Sequence, residues 1–290
     1  MSMELVQKLR DMTGAGVMDA MKALKESNND LDKAAQWLRE KGIAKAAKKA
    51  GAIVTEGVAK AIAVADYGAV VEINCQTDFV ANGDQFKELT KGIVNAISQY
   101  KPKNLDELLK AEFKPGETVI DACTNLTAKC GEKIAVRRIL VLEKNGAEGF
   151  STYEHFNGKV AVVLLMSEPD EKIGKQIAMH IAAMNPKFLN RNAVDQTWIA
   201  NETEVLKKQT LAEGKPADRV DMIVKGRINK SLAEVCLEEQ TSITDPSKKI
   251  KDIAGAAVIK LVGFVRCEVG EGVEKKKEDF AAEVASQMNV

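Results

Sequence analysis

The sequence lacks a net charge, because Lys+Arg and Asp+Glu both count 42 among its 290 residues. Proteins that bind nucleic acid usually carry a basic domain or stripe, so the balance argues against such a partner, although a local patch can exist inside a neutral total. No apolar run reaches the roughly 18 residues that a membrane-spanning helix needs. We therefore expect a soluble globular protein of two or three domains, with neither nucleic acid nor a membrane as a direct partner.

Groups that carry out catalysis are also scarce. The chain has two histidines, His155 and His180, and five cysteines without a C-x-x-C pair, which disfavours a disulfide framework and a zinc site. It contains no phosphate-binding loop, dinucleotide fingerprint, H-E-x-x-H helix or nucleophile elbow. The sequence therefore predicts no catalytic residue, no metal ligand and no cofactor. An enzyme that uses a cysteine and a histidine stays open as an alternative.

Short helices are predicted for residues 1–40. The apolar positions recur every three or four residues, and Thr13-Gly14-Ala15-Gly16 and Asn28-Asn29-Asp30 interrupt them, which indicates a three-helix domain of the kind that docks on partners. Gly42 suits the end of the third helix. Residues 41–56, rich in Lys and Ala, are predicted to be a helical or semi-flexible linker.

A pattern of hairpin, helices and strand then occurs twice, which predicts two α+β subdomains with antiparallel sheets, residues 57–144 and 145–269. The second carries an inserted helical hairpin at about residues 187–236, with its apolar seam on Trp198, Val205, Leu206 and Leu211 of one helix. Gly270-Glu271-Gly272 is predicted to be a hinge before a C-terminal docking helix within residues 270–290. The fold class is thus α+β and multidomain.

The segment Asn74-Cys75-Gln76-Thr77-Asp78-Phe79-Val80 lies between a predicted strand and a predicted helix. This places Asp78 and Phe79 at the tip of a strand-to-helix loop. An acid beside an aromatic residue suits contact with a partner, since Phe79 offers apolar area and Asp78 a charge. The alternative is that the Phe79 ring folds back onto Phe86.

Three motifs in collinear order resemble the translation elongation factor Ts family. They are Thr13-Gly14-Ala15-Gly16-Val17-Met18-Asp19, the Asn74–Val80 segment, and Arg266-Cys267-Glu268-Val269-Gly270-Glu271-Gly272 followed by Asp279-Phe280-Ala281-Ala282-Glu283-Val284. The resemblance spans the chain. It implies an N-terminal domain similar to ubiquitin-associated domains, a core of two subdomains, a coiled-coil hairpin and a C-terminal helix.

The resemblance also implies a function, namely guanine-nucleotide exchange on the GTPase elongation factor Tu, without bond-making chemistry. The exchange segment implied to dislocate magnesium is Thr77, Asp78, Phe79 and Val80, with Phe79 wedged between helices of the partner. Val17 and Met21 stand where some members have Met and Lys, so the N-terminal contact is expected to be more apolar. Further contacts implied by position are Arg10, Met18, Lys22, His155, Phe280 and Val284.

Other expectations are coarser. A bacterial cytoplasm is expected, with an organellar matrix as the alternative, and a homodimer or a 2:2 complex with the GTPase is left open. A second function also stays open, because three-helix domains of the N-terminal type occur in chaperones and protein-binding modules without exchange activity.

Overall fold

The structure, a computed structural model, describes residues 2–13, 15–156 and 158–273, except for the side chain of residue 45. The N-terminal part forms helices α1 (Met3–Thr13), α2 (Val17–Glu26) and α3 (Leu31–Lys49). The Asp30 side chain caps α3 by accepting hydrogen bonds from two backbone N–H groups. The helices enclose a small apolar core made of Val6, Leu9, Ala20, Ala23, Leu24 and Ala34.

Helix α3 does not end at Gly42, so the predicted C-cap there is wrong. The helix continues to Lys49, and its second half takes up most of the Lys/Ala segment. A Cβ atom placed on Gly42 would lie 3.1 Å from the Cβ of Ala128, so the glycine permits close packing of α3 on the first subdomain. The ammonium of Lys133 donates to the carbonyl of Ala52 at 3.2 Å, which fixes the chain just after the helix.

The first subdomain is an antiparallel sheet in the order β1-β2-β5, with helices against it. The predicted helix containing Phe86 and Ile93 is present, and both side chains are buried in the core. A six-residue helix and a short hairpin before the last helix were not predicted. The elements are β1 (Glu56–Val64), β2 (Tyr67–Cys75), α4 (Asp78–Asn82), α5 (Asp84–Tyr100), α6 (Leu105–Lys110), β3 (Glu112–Lys114), β4 (Glu117–Thr118), α7 (Val119–Cys130) and β5 (Ala135–Glu143).

The second subdomain repeats the plan with a sheet in the order β6-β7-β8. Its elements are β6 (Gly149–His155), β7 (Val160–Met166), α8 (Glu171–Met184), α9 (Gln196–Ala212), α10 (Val220–Val235), α11 (Ile250–Ala256) and β8 (Leu261–Glu268).

The two sheets pack face to face. Every residue of the central strands β2 and β7 is buried, because each strand is covered by the other sheet on one side and by helices on the other. Small side chains allow the close approach. The buried residues between the sheets are Ala59, Val70, Ala161, Val163 and Cys267.

Helices α9 and α10 form the predicted hairpin, but the seam is shifted. Val205 and Leu211, which were expected to face α10, are 48% and 50% exposed, whereas Thr210 is buried. A salt bridge between Arg227 and Glu213 at 2.6 Å joins the two helices near the tip. The predicted α+β class, with small antiparallel sheets and an N-terminal helical region, is confirmed. No helix in the described ranges has the length and apolar character needed to cross a membrane.

Candidate functional site

The exchange segment lies in the first turn of α4 and not at the tip of a loop, which corrects the prediction. Thr77 caps the helix, since its hydroxyl oxygen accepts a hydrogen bond from the N–H of Val80 at 3.4 Å. The Phe79 side chain is 86% exposed. The Asp78 carboxylate is also exposed, and within the described part of the chain it has neither an ion-pair nor a hydrogen-bond partner. An apolar ring and a free charge thus point into solvent side by side.

The base of this turn is tied to the loop before β5. Glu132 accepts two hydrogen bonds from Thr77, one from the hydroxyl at 2.7 Å and one from the backbone N–H at 3.0 Å. Beside it, the side-chain oxygen of Gln76 accepts from the N–H of Lys133 at 3.0 Å. These three bonds hold the turn before any partner arrives, which reduces the entropy lost on binding.

The alternative position for the Phe79 ring is wrong. Phe86 is only 1% exposed and lies inside the first core, so a ring that is 86% exposed cannot be packed on it. Val80, and Ala81 directly after the segment, pack on the core. Helix α4 therefore has an anchoring side, which packs on the core, and a presenting side, which exposes Asp78 and Phe79 to solvent.

The N-terminal domain presents a second apolar surface. Met18 is 78% exposed and Lys22 is exposed one helical turn later on α2. Arg10 is half-buried, and its guanidinium donates to the carbonyl of Ala15 at 3.3 Å, which fixes the connection between α1 and α2. Methionine side chains adapt readily to irregular partner surfaces. The neighbouring exposed apolar residues are Met12, Val17 and Met21.

His155 ends strand β6 and is half-buried. Its Nδ1 shares a hydrogen bond with the hydroxyl of Tyr153 at 2.8 Å, and its ring meets the edge of the next aromatic residue, Phe156, with centroids 4.0 Å apart. Phe156 is 74% exposed, and sequence reasoning missed it. The signal was available, because this bulky residue directly precedes an Asn-Gly pair, which is a strong hairpin signal in a sequence.

An open cleft of about 580 Å³ joins the exchange segment to this turn. Thr77, Asp78 and Phe156 line it. The ion pair between Glu56 and Lys159 (2.6 Å) belongs to the same lining. The structure thus brings together two regions that are far apart in sequence. Phe280 and Val284 lie outside the described residues.

The cysteine thiols do not support nucleophilic catalysis. Burial raises the pKa of Cys75, Cys123 and Cys267 to about 12, which is the opposite of an activated cysteine. Burial lowers the pKa of His180, whose Nε2 is 2.9 Å from the side-chain oxygen of Gln240, so this imidazole is neutral and structural. Within residues 2–13, 15–156 and 158–273, no group of three or more His, Cys, Asp or Glu could hold a metal ion.

Comparison with known proteins gives one consistent result. A family model described as Elongation factor TS matches residues 76–271, which include the exchange segment. The elongation factor Ts of Limosilactobacillus reuteri is 44% identical over 284 residues, which cover 98% of this chain and 97% of that protein. The corresponding protein of Pediococcus pentosaceus is 44% identical over 287 residues, or 99% of this chain and 98% of the relative.

Proposed function

This chain belongs to the elongation factor Ts family, and we propose that it is the guanine-nucleotide exchange factor for elongation factor Tu in the translation elongation of a bacterial cytoplasm. The observation that carries the proposal is the Phe79 ring, held out into solvent on a turn that is tied down at its base. No covalent step is needed. The protein acts by binding one state of its partner better than another.

The exchange follows from linkage between two binding events. A factor that binds the nucleotide-free GTPase more tightly than the loaded form must weaken nucleotide binding by the same ratio. Burial of one phenylalanine side chain contributes roughly 1.5–3 kcal/mol, and each tenfold change needs about 1.4 kcal/mol. Phe79 alone therefore accounts for about one or two factors of ten.

Further affinity comes from other surfaces in this proposal. The N-terminal surface with Arg10, Met18 and Lys22 contacts the GTPase domain, and His155 contacts another part of the partner. Phe280 and Val284 extend the contact at the C-terminal end. These surfaces supply affinity for the complex, while the exchange segment acts on the nucleotide site of the GTPase.

The residues of the exchange segment have different roles. Phe79 enters between helices of the partner and displaces the groups that hold magnesium and phosphate, which dominate nucleotide affinity. Asp78 brings an unpaired negative charge close to that site. Thr77 and Val80 fix the direction in which the two side chains enter.

We expect Phe79→Ala to slow stimulated GDP release more than it weakens the complex, because the ring acts mainly on the nucleotide site. The measurement is stopped-flow release of fluorescent GDP from elongation factor Tu, combined with equilibrium binding. Asp78→Asn should have a milder effect, since it removes the charge and keeps the shape. Val258→Ala is the matched control, because it shortens an 87% exposed apolar side chain at the opposite end of the second sheet.

If Phe79→Ala lowers the rate of GDP release and the affinity of the complex equally, or does not lower the rate, the Phe79 ring does not act between helices of the partner. If the wild-type protein does not accelerate GDP release at all, the exchange function itself is wrong. Capture of unfolded chains without the GTPase would then favour the alternative of a chaperone or binding module.

A further inference from the structure

Phe156 has a backbone conformation that its side chain disfavours. Its φ is +48°, in the left-handed region where bulky residues are rare and glycine is preferred. The residue follows β6 directly, and the carbonyl oxygens of both His155 and Phe156 accept from the N–H of Lys159, at 3.0 and 3.1 Å. The tight turn therefore imposes the conformation, and a glycine in this place would carry no strain.

The fold itself gains little from a phenylalanine here. The side chain is 74% exposed, and its one aromatic neighbour in the described part of the chain is His155. Asn28, Asn29 and Asn185 also have a positive φ, and asparagine tolerates this region, whereas Ala65, Lys101 and Val258 share the strain of Phe156. Strained residues that persist without an internal reason are concentrated at functional sites. The strain at Phe156 therefore points to a function only together with its position in the lining of the cleft.

The backbone on either side of Phe156 is attached to the strand that supports the exchange segment. The carbonyl of Gly158 accepts from the N–H of Ala59 on β1 at 2.5 Å, and Glu154 accepts from the N–H of Ala61 at 3.1 Å. The ion pair of Lys159 with Glu56 adds a third attachment to the same strand. Helix α4 also contacts β1. Strand β1 is therefore the common support of Phe79 and Phe156.

The cleft lined by Asp78 and Phe156 has a definite charge. Glu56 and Lys159 neutralise each other at 2.6 Å, which leaves the carboxylate of Asp78 as the unpaired charge on the wall. A complementary surface would offer apolar side chains to the Phe156 ring and a basic group to Asp78.

We propose that Phe156 is a second aromatic contact residue for the same GTPase. A segment of the GTPase with apolar and basic side chains then lies in the cleft between Phe156 and Asp78. The proposal rests on the proposed function. It extends the contact surface of the exchange segment across β1 to the end of β6, and it explains why a strained phenylalanine occupies a turn position suited to glycine.

The test separates strain from contact. Phe156→Gly removes both the ring and the strain, and Phe156→Ala removes the ring alone. Val258→Gly is the matched control, because Val258 is also exposed, also has a positive φ (+60°), and lies at the opposite end of the second sheet. The measurements are the Kd for nucleotide-free elongation factor Tu by titration calorimetry and the Tm of each full-length variant.

We expect Phe156→Gly to raise the Tm by about 2 °C and to weaken binding about tenfold, the loss of one buried aromatic contact. Phe156→Ala should weaken binding equally without the gain in Tm. Val258→Gly should gain in Tm and bind like the wild type. Wild-type binding by both Phe156 variants would overturn the proposal. It would leave the exchange function intact, since the wild type and Phe79→Ala test that function separately.

Discussion

Thr77 gives the exchange segment its rigidity. Its hydroxyl and backbone N–H both donate to Glu132, so one carboxylate holds the residue that starts α4. Hydrogen bonds to a charged group are stronger than neutral ones. The exposed ring of Phe79, two residues later, therefore stands on a fixed base, which under the proposed function reduces the entropy lost on binding.

Removing this attachment should impair exchange while the fold persists. We expect Glu132→Ala to slow stimulated GDP release roughly fivefold, because a looser turn must be ordered on binding at a cost of about 1 kcal/mol. The readout is fluorescent GDP release at saturating factor. Glu88→Ala is the control, since Glu88 is exposed on α5 and outside the cleft. Equal rates for the two variants would mean that the attachment does not order the segment.

The sequence allowed the presenting side of this site to be predicted but not the anchoring side. An acid next to an aromatic residue after a strand indicates contact, and both side chains are indeed exposed. The partner of Thr77 is 55 residues away in sequence and reaches it through the connection between α7 and β5. A tertiary contact of this kind leaves no local pattern, so neither Glu132 nor the shared cleft could be foreseen.

At the scale of elements, periodic helices and strands were predicted well, and the errors have physical reasons. Gly42 did not end α3, because the alanines and lysines around it are strong helix formers and the glycine allows contact with Ala128. The hairpin of β3 and β4 was missed because strands of two and three residues show no alternation. Helix α6 is likewise too short to show a helical period.

Two helical glycines should respond in opposite ways to the same substitution. Gly226 on α10 has open space around its missing Cβ, so Gly226→Ala should raise the free energy of unfolding by about 0.5–1 kcal/mol. A Cβ on Gly174 of α8 would lie 2.6 Å from the Cβ of Ser151 on β6. Gly174→Ala should therefore lower the free energy of unfolding by about 1–3 kcal/mol, because α8 must move away from the sheet.

Urea denaturation followed by circular dichroism measures both effects, and each variant serves as the control for the other. A stabilisation by Gly174→Ala would show that α8 can shift at no cost. The close packing of this helix on its sheet would then contribute little to the second subdomain.

At the scale of the whole molecule, one buried carboxylate joins the two sheets. Glu72 on β2 is fully buried and accepts from Arg137 and Arg138 on β5, at 3.0 and 2.6 Å. It also accepts from the N–H of Gly270, just after β8, at 2.8 Å. Arg137 donates in addition to the carbonyl of Glu271 at 2.7 Å. The predicted hinge at residues 270–272 is therefore a fixed turn.

This network should make the protein sensitive to acid. Burial alone would raise the pKa of Glu72, but hydrogen bonds from Gly270, Asn74 and Arg138 outweigh it and hold the pKa below 4.5. A lowered pKa in the folded state contributes stability that is present above pH 4.5 and is lost as pH falls through the folded value.

Substitution of this residue tests the argument. Glu72→Gln should lower the free energy of unfolding at pH 7 by about 3–5 kcal/mol, because two arginines lose a buried partner. It should also flatten the dependence of stability on pH below 4.5. Glu56→Gln is the control, since its half-exposed pair with Lys159 should contribute less than about 1 kcal/mol. Denaturation of both variants across pH 3–7 measures the difference. If Glu72→Gln loses stability at low pH as the wild type does, other carboxylates cause the acid sensitivity.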